Sequence, residues 1–258
     1  MIVKRYPELT STSTQAAALG DAAAHGTVVV TDCQTAGRGQ RGNKWEAEPG
    51  ANLTFSIVLR PQSQPARTQY MLSMAMAIAI CDVLQDMLPD RQVRIKWPND
   101  IYVGDRKISG TIIECSVGAD AMVQRAIAGI GINVNQTVFV SDAPNPVSLA
   151  QLTGRHYELE PLLQTLASAI IAAVDSLSQQ TSLTPNPSPL NPHPSPLTLE
   201  YFNRMWRADG RAYQWRDNLT GELMTASIHS VATDGRLTLA LDDTTHRHYY
   251  FKELSPIL

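Results

Sequence analysis

The first regular pattern along the chain is TQAAALGDAAA, residues 14–24. Its alanines predict a helix, with Ser13 or Thr12 near its N-cap. GTVVVTDC (26–33) is β-branched and bounded by Gly26, which predicts a strand. ANLTFSIVLR (51–60) alternates and stops at Pro61, which predicts another. Residues 67–88 form one long, largely apolar stretch with helical character. VRIKW (93–97), IYV (101–103), KISGTIIECS (107–116) and MVQRAIAGIGINVN (122–135) read as strands. SLAQLTG (148–154) predicts a short helix closed by Gly154, and 158–180 an amphipathic one.

The composition then changes. TSLTPNPSPLNPHPSPL (181–197) is rich in Pro, Ser and Asn, and nearly repeats itself as PNPSPL and PHPSPL. It holds too little apolar surface to fold alone, so it predicts an extended linker or insertion. A short helix near 198–206 is expected to cap the large domain. Gln214 to Leu258 carries turn signals at TGE (220), TDG (233) and DDT (242), the spacing of a small β-barrel or sandwich. Strands and helices do not alternate strictly. The expected class is therefore α+β: a mixed-sheet domain with flanking helices over 1–180, the linker over 181–197, and a connecting helix with a small barrel over 198–258.

A chain of 258 residues with 43% hydrophobic side chains buries a sizeable core. Its formal net charge of -3 speaks against a dedicated nucleic-acid binder but leaves room for a small basic pocket. Cys33, Cys81 and Cys115 form no C-x-x-C pair, so neither a zinc site nor a disulfide framework is expected. MIVKRYPELT lacks the apolar core of a signal peptide. The apolar stretch Met71–Leu84 is shorter than the roughly 20 residues of a membrane span. A buried core helix, no membrane association and a reducing cytoplasm are the expectations.

GRGQRG (37–42) has the glycine spacing of a dinucleotide loop. Such a loop opens a helix and is followed about 20 residues on by an acid. NKWEAEPGAN has no helical periodicity, and the strand FSIVL occupies the place of the acid. The glycines and the two guanidiniums, Arg38 and Arg41, instead suit a loop that approaches an anion, although a solvated hairpin loop fits the same residues. KWPND (96–100) closes a strand and turns the chain. Asn99 and Asp100 fit a turn, or a phosphate and Mg²⁺ contact. Lys107 enters an apolar strand, as an anion ligand or a snorkelling side chain. Gly110 implies a bulge or a close approach. Gly129, Gly131 and Asn133 lighten a strand against which something flat can lie.

Taken in order, QTAGRGQRGNKW, KWPNDIYVGDRKISGTIIE and GIGINVN resemble the three signatures of biotin–protein ligases. The likeness covers about residues 1–180 well and the rest loosely. It implies a fold of class II synthetase type. It also implies an enzyme that uses ATP and Mg²⁺ to make biotinyl-5′-adenylate and then biotinylates a lysine of a biotin carboxyl carrier protein. By position, Lys107 and Arg38 resemble the catalytic cations. Ser11, Thr12, Ser13, Gln34, Gly37, Gly39, Gln40 and Gly110, with Arg38 and Lys107, resemble biotin contacts. Arg41, Trp45, Asn99, Asp100 and Asn133 resemble adenylate contacts, with Trp45 packing near adenine and Asp100 nearest Mg²⁺. Gln40 departs from the arginine usual at its place, and STST permits a shifted register at Ser13. Only about ten residues precede the Ser-Thr segment, which implies a monofunctional ligase without a DNA-binding module, either monomer or homodimer. A lipoate ligase and a biotin-binding sensor are the competing readings.

Overall fold

The computed structural model describes residues 1–39, 45–140, 145–183, 195–242 and 244–257, with side chains beyond Leu177 in the 159–183 helix left out. Gln40 and Arg41, and positions 184–194 of the expected linker, lie outside the described residues.

Seven strands form one sheet: β1 (Ile2–Leu9), β2 (Thr27–Gln34), β3 (Leu53–Leu59), β4 (Val93–Lys96), β5 (Asp100–Val103), β6 (Arg106–Val117) and β7 (Val123–Ile132). Their spatial order is β1-β2-β3-β7-β6-β5-β4. β1 pairs parallel with β2, and the other neighbours are antiparallel, so the sheet is mixed as expected.

Period-two alternation sorts the residues of this sheet onto two faces. Val28, Val30, Phe55, Ile57, Ala128 and Ile130 meet helices α2 (Tyr70–Met87) and α4 (Leu159–Leu183) in the main core. On α2, Leu72, Met74, Met76, Ile80 and Leu84 are fully buried, each worth about 1.5–3 kcal/mol relative to exposure. This helix is long and apolar enough to pass as a membrane span. Its buried face identifies it as the core helix the sequence implies. The other face of the sheet carries Val29, Val58 and Ile127, packed under the short helix α1 (Thr12–Ala18).

α1 differs from its expected extent of 14–24. It begins under an N-cap at Ser11, whose hydroxyl accepts from Thr14 N, and a separate turn follows at Gly20–Ala22. The cause is Gly20, whose φ of 57° ends the right-handed run. β1 has no counterpart in the sequence reading. α3 (Leu149–Thr153) has a Ser148–Gln151 capping box and the expected left-handed Gly154.

α4 continues three residues into the expected linker, to Leu183. α5 (Pro196–Asn203) begins earlier than expected, with Ser195 as N-cap and Pro196 in its first turn. Five C-terminal strands follow: β8 (Tyr213–Asp217), β9 (Leu223–Val231), β10 (Leu237–Ala240), β11 (His246–Tyr249) and β12 (Leu254–Pro256). They form an antiparallel sheet in the order β11-β10-β9-β8-β12. The three turn signals lie at its connections. Gly221 and Gly235 take positive φ, and Asp217 and Asp242 accept backbone N–H bonds through their side chains.

Candidate functional site

Strand alternation alone would place Lys107 and Gly110 on opposite faces. The β5–β6 register prevents this, because Ile101 pairs with Ser109 and Tyr102 with Lys107, leaving Ile108 as an extra residue. Such a bulge re-aims the side chains that precede it. Lys107, Gly110 and Ile112 all line one pocket as a result. Lys107 then folds back over Gly110, where an added Cβ would lie 3.1 Å from its Cε and Nζ. That contact explains the glycine three residues after the lysine. The ammonium is held by Asp100 Oδ1 at 2.8 Å.

The pocket floor is sheet backbone. Asp100, Gly110, Gly131 and Thr54 are paired in one row across β5, β6, β7 and β3, and Ile112, Gly129 and Ser56 in a neighbouring row. Three glycines among these positions remove the side chains that would fill the hollow. About 50 Å³ of free space remains over this floor.

Hydroxyl and amide groups crowd the β2–β3 end. The N-cap geometry at Ser11 brings Thr12 and Ser13 onto the floor. Ser56 donates to Thr12 Oγ1 at 2.8 Å and lies 3.4 Å from Ser13 Oγ. Gln34 Oε1 accepts from Thr12 N at 2.9 Å and from Thr12 Oγ1 at 3.3 Å. Ser13 reaches the floor because Gly129 has no side chain, and a Cβ there would be 2.7 Å from its Oγ.

Trp45 roofs the other end. Its N donates to Gly37 O at 3.2 Å, and its indole lies on Gly131, where a Cβ would be 2.3 Å from Cε2. The flat object over the light strand is thus, in this structure, the protein's own indole. Lys107 Nζ is 5.8 Å from the ring centroid. The buried Nε1 of Trp45 has no partner among the described residues, a donor left for an incoming group. Arg38 lines the pocket from the rim, its guanidinium 3.5 Å from Glu114 and 3.4 Å from Thr14 Oγ1.

Ser11, Thr12, Ser13, Gln34, Arg38, Gly39, Trp45, Asp100, Lys107 and Gly110 are therefore brought together. Gly37, Asn99 and Asn133 are not in the lining. Gly37 anchors Trp45, and a Cβ there would strike Trp45 O at 2.7 Å. Asn99 donates to Thr111 O. Asn133 donates to Val147 O at 3.1 Å and Lys107 O at 3.4 Å, bracing the strand under the lysine. Gly129 and Gly131, the light positions of β7, also line the pocket, as do Thr54, Thr111, Ile112 and Ile130, which were not among the expected contacts. The signal for Thr54 was present in LTFSIVL, where Thr54 and Ser56 interrupt an apolar strand on one face.

The KWPND turn, with a cis Trp97–Pro98 bond, is held from outside the sheet. Pro98 O accepts from Tyr70 at 2.8 Å and from Tyr201 of α5 at 2.6 Å. Burial pushes both phenols up, which keeps them protonated as donors. Trp97 Nε1 donates to Gly235 O in the β9–β10 turn at 3.0 Å. The C-terminal sheet thus buttresses the turn that carries Asp100.

The Asp100 carboxylate faces Lys107, and among the described residues no cluster of three or more His, Cys, Asp or Glu occurs.

Residues 6–133 match the biotin/lipoate A/B protein ligase family. The biotin–[acetyl-CoA-carboxylase] ligase of Paracoccus denitrificans is 34% identical over 164 residues, 62% of this chain and 67% of that protein. The bifunctional ligase/repressor BirA of Escherichia coli is 33% identical over 161 residues, 62% of this chain and 49% of BirA. The chain thus spans about half the length of several curated relatives it matches. A biotin protein ligase from Aquifex aeolicus, solved with biotin and ATP, superposes with a TM-score of 0.75 at 21% identity, covering 98% of this chain and 97% of that one. One from Leishmania major, solved with biotinyl-5-AMP, gives 0.57 at 21% identity, covering 96% and 98%. The mixed sheet with its C-terminal antiparallel sheet is the fold of these ligases. With both the fold and the sequence signatures in place, the chain belongs to the biotin/lipoate A/B protein ligase family.

Proposed function

We propose that this protein activates biotin with ATP as biotinyl-5′-adenylate and transfers it to a lysine of a biotin carboxyl carrier protein. One observation carries the reading. A single glycine-floored pocket has hydroxyl and amide groups over β3 and a lysine ammonium over β6. Those strands lie two spacings apart, about 10 Å. A bicyclic urea fits the polar end, and the carboxylate of its side chain then meets Lys107.

In the first step a biotin carboxylate oxygen bonds to the α-phosphorus of ATP, and the bond to pyrophosphate breaks. Negative charge spreads over the oxygens at one phosphorus, so cations and donors matter more than a protein nucleophile. Lys107 neutralises the reacting carboxylate and the bridging oxygen. Trp45 offers its ring and its unpaired Nε1 to the nucleotide. Arg38 stands at the rim, within the lining, to meet phosphate. Asn99 and Asn133 act through the backbone around Lys107. Mg²⁺ enters with the nucleotide as part of that substrate, held by phosphate oxygens.

In the second step the acceptor amine, having lost one proton, attacks the acyl carbon. The C–N bond forms, the C–O bond to phosphate breaks, AMP leaves with the bonding pair, and the nitrogen gives up its second proton to solvent. The roof of Trp45 keeps water from the anhydride.

The test combines the full chain with ATP, Mg²⁺, biotin and a carrier domain. Biotin-dependent pyrophosphate release and label on the acceptor lysine are expected. Release with lipoate but not biotin would redirect the reading to a lipoate ligase. Biotin binding without adenylate in the mass spectrum would leave only a sensor.

A further inference from the structure

We propose that the cleft between Glu114 and the Phe251–Lys252 turn is the port for the acceptor lysine, with Glu114 as the counter-charge that receives its ammonium. This rests on the ligase reading above. Ser13, Arg38, Gly39 and Ile112 line both the cleft and the pocket, so the two spaces communicate. Period-two alternation puts Gly110, Ile112 and Glu114 of β6 on one face, running outward. Four residues of strand place Glu114 about 13 Å from Gly110, at the mouth rather than on the floor.

The electrostatics call for an acid at this place. A lysine has an ordinary pKa of about 10.4 and arrives as a cation. It approaches a site already holding Lys107 and Arg38, with Lys252 on the far wall of the cleft. Among the residues lining either space, the acids are Asp100, paired with Lys107, and Glu114. In this structure Glu114 is paired with Arg38 at 3.5 Å, with the side chains 49% and 50% exposed. Exposed pairs of this kind are weak and exchange readily. Once Arg38 turns to the adenylate phosphate, Glu114 loses its partner and becomes a seat for the incoming ammonium. The proton is then lost to solvent before attack. Admission of the acceptor is therefore favoured after the adenylate has formed.

The test uses the full chain with ATP, Mg²⁺ and biotin, and two acceptors: the carrier domain, and hydroxylamine, which is uncharged at neutral pH. For Glu114→Gln the KM for the carrier should rise about tenfold, and further for Glu114→Lys, while adenylate formation and hydroxylamine capture fall much less. Glu114→Asp should recover part of the loss. Equal falls in carrier transfer and hydroxylamine capture would overturn the proposal, because Glu114 would then only seat Arg38. Unchanged transfer would overturn it as well. Should the Glu114 variants fail to fold, Lys252→Glu is expected to lower the KM for the carrier, and an unchanged or higher KM counts against the port. A wild-type protein that releases no pyrophosphate with biotin fails the ligase reading itself, and the port with it.

Discussion

Asp100 Oδ1 stands 2.8 Å from Lys107 Nζ across the β5–β6 hairpin, with the two side chains 22% and 27% exposed. The carboxylate holds the ammonium over Gly110. Lys107→Ala is expected to lower biotin-dependent pyrophosphate release by about a hundredfold or more. Asp100→Asn keeps the volume and the lysine, and should cost about tenfold or less, with a stability change under about 1 kcal/mol. Near-normal release by Lys107→Ala would remove the lysine from the chemistry.

Gly131→Ala would drive a Cβ into the indole of Trp45. The ring has to lift, because the floor is backbone and cannot yield. Overpacking of this kind costs about 1–3 kcal/mol. The KM for ATP should rise more than that for biotin, and Trp45 fluorescence should shift. An unchanged emission spectrum with normal kinetics would show that the indole leaves Gly131 freely.

The two phenols on Pro98 O give a coupled pair. Tyr70→Phe or Tyr201→Phe alone leaves one donor and should cost about 1 kcal/mol each. The double variant strips the carbonyl of both and should lose more than the sum, as neighbours sharing one partner do. Denaturant midpoints of the four proteins measure the coupling. Additive losses would mean the carbonyl finds another donor.

Asp242 in the β10–β11 turn has its pKa lowered to about 2 by backbone N–H bonds from Thr244 and then Thr245. A carboxyl with a depressed folded pKa contributes its stability above the unfolded value of about 3.9 and loses it as pH falls towards the folded one. The stability difference between wild type and Asp242→Ala should therefore shrink between about pH 4 and pH 2. A pH series of denaturant midpoints tests this, and a flat difference would refute it.

Short linear signals predicted the pieces of the site that lie together in sequence. KWPND, Lys107 and Gly110 fall within fifteen residues and act through local geometry. β1 went unread because its residues are mostly exposed on both faces and include Pro7, so neither alternation nor an apolar run marks it. The parity change at Ile108 was equally hidden, since a bulge is defined by the partner strand and not by KISG. Asn99 and Asn133 show a different limit. A buried amide can face a ligand or a backbone carbonyl, and only the fold decides between them.

The floor of glycines also sets the direction in which this pocket can be changed. Gly110, Gly129 and Gly131 already carry the smallest side chain available, so no substitution there can enlarge the space. Redesign for a bulkier analogue has to begin at Thr54, Ser56 or Ile112, the positions around the floor that still have atoms to remove. Random change at the floor can only narrow the space open to a ligand.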